Sequence, residues 1–167
     1  GGDVTVGAVG TGELNTSADI TAAGDVNLHR SVHIGDDLTI TATNATLHDT
    51  VDEAGAGPSG LTLNVSGTTD IRGEINTIDS ITTDAPGLTI IQANVTTEGN
   101  SQDYHDAVEV TGTIAFTDTG TSGIRFHNTL NSNGTPQDVS ITTTNVAAEI
   151  RLIDVVGGTS ELNSLTL

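Results

Sequence analysis

The chain has 167 residues, a formal net charge of −18 and only four Lys and Arg residues combined. Such an acidic chain excludes a nucleic-acid partner, which needs cations to neutralise its phosphates, and it is repelled by anionic membrane surfaces. The absence of Cys excludes a disulfide scaffold and a thiolate metal site. No apolar run reaches the roughly 18 residues that a membrane-spanning helix needs.

The predicted elements are short runs in which apolar and polar residues alternate. Segments rich in Gly, Asn, Asp and Pro separate these runs, and no segment keeps a helical period. Short strands at a coil-like spacing predict an all-β fold, a parallel β-helix (β-solenoid) of about eight coils of roughly 20 residues. The runs begin near Val4, Ile20, Leu38, Leu61, Ile81, Val108, Ile124, Val139 and Leu165.

One five-residue motif recurs along the chain. It has an apolar residue at each end, a basic residue or His second, and a polar, small or turn-prone residue in the middle. We predict that each copy is a corner between two strands, with both ends inward, the second residue outward and a bend at the third. The copies are LHRSV (28–32), LHDTV (47–51), IRGEI (71–75), YHDAV (104–108) and FHNTL (126–130).

The chain also shows a longer internal similarity. Residues 18–40 align with residues 93–116, so that Leu28 meets Tyr104 and Val32 meets Val108. This alignment predicts one β-solenoid segment over residues 1–167, with repeats at about 18–92 and 93–167 and residues 1–17 as the tail of a preceding copy. Neither terminus carries a polar cap, so we expect the coils to continue in a longer chain or by end-to-end association.

A family resemblance is clearest over residues 61–144. The segments GTTDIRGEINTIDSITTDAPGLTI (67–90) and ANVTTEGNSQDYHDAVEVTGTIAFTDTGTSGIRFHNTL (93–130) resemble repeats of filamentous-haemagglutinin-like, β-strand-repeat bacterial surface exoproteins. The resemblance implies a right-handed parallel β-helix, an extracellular or cell-surface location, and a role as an adhesin shaft or filament.

Four of the five histidines occupy the second position of the motif. If equivalent corners stack about 4.8 Å apart, His29 and His48, or His105 and His127, would lie close enough to share Zn²⁺ or Cu²⁺. Arg72 and Arg151, which cannot ligate a metal, interrupt the series. We therefore favour solvated corner residues, with a metal site at these histidines as the alternative.

Carboxylates are the other candidate ligands. Acidic groups could hold Ca²⁺, which prefers oxygen ligands, but no EF-hand or Gly-rich calcium repeat is present and acidic loops are usually solvated. We predict no resident cofactor, with Ca²⁺ as the alternative. The groups are Asp36 with Asp37, Asp49 with Asp52 and Glu53, and Asp103 with Asp106.

The sequence predicts no catalysis. It contains no nucleophile elbow, no phosphate-binding loop and no Lys or Trp, and its carboxylates are scattered over turns. We predict a structural or adhesive segment of a bacterial surface fibre. Its expected partners are neighbouring or continuing coils of the same protein, and surface glycans or host receptors. The alternative is a carbohydrate-binding or carbohydrate-active β-helix, which would need exposed aromatic residues and clustered carboxylates.

Overall fold

A computed structural model describes residues 2–7, 12–55 and 57–167, and within these ranges all regular structure is β-strand. None of the described segments forms an apolar helix long enough to cross a membrane. The strands are β1 (Val4–Val6), β2 (Leu14–Thr16), β3 (Ile20–Thr21), β4 (Val26–Leu28), β5 (Val32–Ile34), β6 (Leu38–Ala42), β7 (Ala45–Leu47), β8 (Val51–Glu53), β9 (Gly60–Val65), β10 (Thr68–Ile71), β11 (Ile75–Ile78), β12 (Ser80–Thr83), β13 (Leu88–Ile91), β14 (Val95–Thr97), β15 (Gln102–Tyr104), β16 (Ala107–Val110), β17 (Ile114–Asp118), β18 (Gly123–Phe126), β19 (Leu130–Ser132), β20 (Asp138–Thr143), β21 (Glu149–Leu152) and β22 (Ser164–Thr166).

These strands form three parallel sheets, and each coil adds one strand to each sheet in turn. Sheet A contains β1, β4, β7, β10, β13, β16 and β19. Sheet B contains β2, β5, β8, β11, β14, β17, β20 and β22, and sheet C contains β3, β6, β9, β12, β15, β18 and β21. From β1 to β18 each strand pairs with the strand three elements later, and in the last coil β20 pairs with β22. This is the topology of a β-solenoid, so the predicted fold class is confirmed.

The number of coils is slightly smaller than the predicted eight. The seven strands of sheet A are connected by six complete turns, and the eighth strand of sheet B adds part of another. Six steps of about 4.8 Å separate the first and last strands of sheet A by about 29 Å. The right-handed coil direction stays a prediction of the resemblance.

The core consists of apolar columns that run along the coil axis. In sheet A, Leu28 pairs with Leu47, Leu47 with Ile71, and Ile71 with Ile91, and all four side chains are buried. Alternate residues of these strands point inward, because successive side chains of a strand face opposite sides of the sheet. In this column, aliphatic side chains of similar size therefore stack on each other over four successive coils.

The five-residue motif forms corners, as predicted. Its first and last residues are buried in all five copies, and its second residue is exposed or half-buried. The bend, however, does not use a positive φ, which we expected at the third position, because none of the five third residues adopts one. Gly73 is needed there for another reason: a Cβ on it would overlap the backbone of Asp49 one coil earlier.

The motif occurs at two different corners of the solenoid. The copies at 28–32, 47–51 and 71–75 connect sheet A to sheet B, whereas those at 104–108 and 126–130 connect sheet C to sheet A. Leu28 and Tyr104, which the sequence alignment pairs, accordingly lie in sheets A and C. The sequence similarity thus does not correspond to a whole number of coils, and the division at residues 92 and 93 stays a prediction.

Candidate histidine and carboxylate site

The structure brings together both pairs of histidines that the sequence placed in neighbouring coils. The rings of His29 and His48 are stacked with centroids 4.0 Å apart and planes 20° apart. The rings of His105 and His127 are stacked at 4.1 Å and 7°. The two pairs lie at different corners, so the four candidate metal ligands form two separate sites rather than one row.

The first pair has cationic surroundings. Burial lowers the pKa of His48, and the neighbouring His29 and Arg72 lower it further, while Asp70 acts in the opposite direction. Asp70 is itself held by Arg72, whose Nε donates to it at 2.7 Å, and by Gln92, whose Nε2 donates at 2.6 Å. This carboxylate is therefore occupied by other donors, and among the residues that the structure describes the pair has no third His or carboxylate ligand.

The second pair has a carboxylate beside it. Asp103 Oδ1 lies 2.6 Å from His127 Nε2 and 3.7 Å from His105 Nε2. One ligand atom from each of these three residues lies within 4.8 Å of the other two. Sequence reasoning assigned Asp103 to a calcium pair and missed this arrangement. The spacing Asp-x-His was the available signal, because residues two apart on a strand point to the same side.

Arg125 reduces the negative charge at the group formed by Asp103, His105 and His127. It occupies the position next to Asp103 in the adjacent strand, and its guanidinium lies 3.9 Å from Asp103 Oδ2. Its Nη2 also donates to the carbonyl of Ser122 at 2.9 Å. The cation thus faces one carboxylate oxygen, while the other oxygen faces the two imidazoles.

The fifth histidine, His33, lies outside the motif on sheet B. Its Nδ1 lies 2.5 Å from Asp52 Oδ1, and its Nε2 lies 3.5 Å from Glu13 Oε2. The two carboxylates face opposite ring nitrogens, so they cannot join this imidazole around a single ion.

The carboxylates proposed for Ca²⁺ mostly bind nearby backbone instead. Asp37 accepts a hydrogen bond from Gly60 N at 2.8 Å, Asp49 from Thr50 N at 2.8 Å, and Glu53 from Ser59 N at 2.8 Å. Each is a turn or inter-coil contact that uses an oxygen a cation would need. These geometries do not gather the carboxylates of 36–37 or of 49–53 around one point.

Asp103 and Asp106 point to opposite sides of the corner. Asp106 is 1% exposed and accepts a hydrogen bond from the Thr89 hydroxyl at 2.9 Å, whereas its Oδ1 has no partner. Burial, aided by the nearby Asp84 and opposed by the Thr89 hydrogen bond, raises the pKa of Asp106 to about 6. Asp103 and Asp106 therefore do not form the calcium pair that the sequence left open as an alternative, because the Asp106 carboxylate lies in the interior.

A second interior carboxylate is fully bonded. Asp118 accepts hydrogen bonds from the Thr97 hydroxyl at 3.0 Å and from the backbone N–H groups of Gly120 at 3.1 Å and Gly123 at 2.9 Å. Beside it, Gln102 donates to the Thr117 carbonyl at 2.8 Å and accepts from the Tyr104 hydroxyl at 3.1 Å. This network closes a corner of the solenoid and stabilises the fold.

Two of the concavities on the described surface could be considered as ligand sites. One, of about 360 Å³, is formed at the last coil by residues from Val156 to Leu165. The other, of about 170 Å³, is acidic and is lined by Glu53, Pro58, Thr77, Asp79, Glu98 and Gly99. All three aromatic residues of the chain (Tyr104, Phe116 and Phe126) are buried, so neither concavity has an aromatic platform for a sugar ring.

None of the protein-family models, curated proteins or solved structures compared with the chain matches it. The resemblance to surface exoprotein repeats therefore stays a prediction from the sequence pattern.

Proposed function

We propose that this chain is a structural segment of a bacterial cell-surface or extracellular fibre protein, an adhesin shaft or filament subunit without catalytic activity. The observation that supports this proposal most is the continuity of the three sheets. Every described strand pairs in parallel with strands of adjacent coils over six turns, and the register shifts only between β11 and β14. A continuous hydrogen-bonded stack of this kind is stiff along its axis and suits a spacer.

The surface also fits such a role. The outer strand positions carry mostly Thr, Asn and acidic residues, and the net charge of −18 keeps the chain soluble and repels other copies side by side. A spacer of this composition would separate an adhesive region from the cell. Contact with surface glycans or host receptors is part of the same proposal, and it would use the polar side chains of the outer faces.

The two end coils are the proposed contact with further coils. At the first coil, Val4, Val6, Leu14 and Ile20 are only partly buried. At the last coil the same is true of Ile150, Leu152, Val156, Leu162 and Leu165. The outermost strands also present unpaired backbone groups, which is the usual template for adding another strand. We propose that coils of the same kind cover these ends, either in one polypeptide or from a second copy.

The alternative remains a carbohydrate-binding or carbohydrate-active β-helix. The acidic concavity at Glu53, Asp79 and Glu98 is the place where that function would reside. The buried aromatic residues make this alternative the weaker proposal, because protein sites for sugars commonly stack aromatic rings on them.

Sedimentation equilibrium of end-face variants tests the proposal. We expect the chain to associate as its concentration rises, and more strongly at high salt, which screens the negative charge. Val6→Glu and Leu165→Glu each place a carboxylate on one end face and should weaken association. Asn64→Glu adds the same charge to an exposed position on the side of the coil and should change it much less. Equal association of all three variants would contradict end-to-end contact.

A further inference from the structure

We propose that Asp103, His105 and His127 form a binding site for one divalent transition-metal ion, Zn²⁺ or Cu²⁺, on the outer surface of the corner between sheets C and A. Asp103 lies in β15 and His105 follows it directly, while His127 follows β18 in the next coil. The site would join two neighbouring coils through side chains.

The distances between the ligand atoms suit a metal, and the two stacked rings would turn so that the lone pairs of both Nε2 atoms point at it. Zn²⁺ binds nitrogen and carboxylate oxygen at about 2.0–2.2 Å, so its tetrahedral ligand atoms lie about 3.3 Å apart. The distances from Asp103 Oδ1 to His127 Nε2 and His105 Nε2 are 2.6 and 3.7 Å, on either side of that value. The ion would replace the hydrogen bond between Asp103 and His127 and draw His105 closer.

The coil positions these ligands before any metal arrives. His127 N donates to the Tyr104 carbonyl at 2.9 Å, and His105 N donates to the Thr83 carbonyl at 3.3 Å, so both corner residues are held by the ladder. Tyr104 and Phe126, which precede the two histidines, are buried and stacked at 4.9 Å. The backbone at both histidines is therefore fixed by the coil and its core, and the two imidazoles reach a shared ion by rotation about their side-chain bonds.

The donor atoms determine which ion fits. Two imidazole nitrogens and one carboxylate oxygen suit Zn²⁺ or Cu²⁺, whereas Ca²⁺ and Mg²⁺ take oxygen ligands. Three protein ligands leave a fourth position for water, because all three side chains are partly exposed, at 24% for Asp103, 42% for His105 and 33% for His127. Arg125 opposes a cation but faces Oδ2, the oxygen turned away from the imidazoles.

The pair His29 and His48 is an internal control supplied by the chain. Its rings stack at nearly the same distance, 4.0 Å, but Asp70, the carboxylate that acts on His48, is bonded to Arg72 and Gln92. If stacked imidazoles alone were enough, both pairs would bind metal equally. The proposal requires that the pair with Asp103 binds much more tightly.

Isothermal titration of Zn²⁺ into the untagged, EDTA-treated chain at pH 7.5 tests the site. We expect one tight site per chain. His127→Ala and Asp103→Asn should each weaken it at least about 10–100-fold, the loss that removal of even an outer-shell partner causes. His48→Ala should leave the affinity within about twofold.

Two further measurements keep the proposal open to refutation. Circular dichroism establishes that each variant keeps its β-structure, and Co²⁺ in place of Zn²⁺ should give the visible absorption of a tetrahedral site in the parent chain but not in His127→Ala. Equal affinities in the parent chain, Asp103→Asn and His127→Ala would overturn the proposal. An equal loss in His48→Ala and His127→Ala, or no binding at one ion per chain, would also overturn it.

Discussion

Two parts of the same solenoid have the same backbone arrangement and different interiors. The coils of residues 26–65, here called the aliphatic coils, are filled by Val, Leu, Ile and Ala, with Ser59 as the one buried polar residue. The coils of residues 88–126, the aromatic coils, contain all three aromatic rings and five buried polar residues: Thr89, Thr97, Gln102, Asp106 and Asp118. The same parallel hydrogen bonding of the backbone therefore forms around an aliphatic interior or around one with aromatic and polar residues. The condition is that the buried side chains of neighbouring coils pack against each other.

The contrast follows from what an aromatic residue needs inside a narrow coil. Phe116 and Phe126 meet edge to face at 5.2 Å, and Tyr104 packs against both. The buried Tyr hydroxyl must find a partner, and Gln102 supplies it. Gln102 then needs partners of its own, so a few large side chains bring a polar network with them.

The largest expected effect is loss of an aromatic ring. Phe126→Ala should lower the free energy of unfolding by about 3–5 kcal/mol, because it leaves a cavity and removes two ring contacts. Leu63→Ala, a substitution in the same column of sheet C within the aliphatic coils, is the matched control and should cost less. Urea denaturation of the two variants compares them. An equal or larger loss of unfolding free energy for Leu63→Ala would contradict the claim that the aromatic rings contribute more to stability than the aliphatic side chains.

Removal of the buried, hydrogen-bonded Asp118 carboxylate should cause the next largest loss of stability. Asp118→Ala leaves the Thr97 hydroxyl and the N–H groups of Gly120 and Gly123 without their acceptor. A buried group without a partner costs about 1–3 kcal/mol, so we expect a total loss near 3 kcal/mol by urea denaturation. The control is Asp36→Ala, an exposed carboxylate that accepts one bond from the adjacent Asp37 N–H, and it should cost little.

Asp106 makes the stability of the aromatic coils depend on pH. Its pKa of about 6 in the folded chain exceeds the ordinary value of 3.8, so the folded state binds the proton more tightly than the unfolded state. Its contribution to stability is therefore complete below pH 3.8 and is lost as pH rises through about 6, by up to about 3 kcal/mol.

Asp106→Asn isolates this effect, because the amide stays neutral at every pH. Relative to the parent chain, the variant should become more stable on going from pH 4 to pH 8. Thermal unfolding of both proteins across this range measures the difference between them, which removes the contribution of the other carboxylates. A difference that does not change with pH would show that Asp106 titrates at its ordinary value.

The smallest expected effect lies between the two regions. Thr77 in β11 has a positive φ of 52°, a conformation that β-branched residues rarely adopt, at an irregularity in the pairing of β11 with β14. Thr77→Gly should raise the free energy of unfolding by up to about 1 kcal/mol in denaturant titration. Asn76→Gly, one residue earlier and without positive φ, should instead lower it.

The local features of the fold followed directly from the sequence. Alternation of apolar and polar residues predicted the strands, and the five-residue motif predicted the corners with buried ends such as Leu47 and Val51. These features depend on neighbouring residues only. The stacking of His105 on His127 followed in the same way, from equal positions in successive coils.

The assignment of distant strands to their sheets could not be predicted from the sequence, because the coils differ in length. One turn takes 19 residues from Val26 to Ala45 but 24 residues from Ala45 to Thr69. Because insertions of a few residues at corners accumulate, sequence spacing alone does not tell which sheet a distant strand joins. For this reason Leu28 and Tyr104 were aligned although they lie in different sheets, and Asp106 was assigned to the surface although its side chain points inward.

Electron microscopy with diffraction, on the EDTA-treated chain at high concentration and moderate salt, tests the central claim most directly. A structural segment with open ends should form straight, unbranched filaments whose axial repeat is about 4.8 Å, the spacing of stacked coils. Compact particles without that repeat, at every concentration, would contradict both the end-to-end contact and the role as a fibre segment.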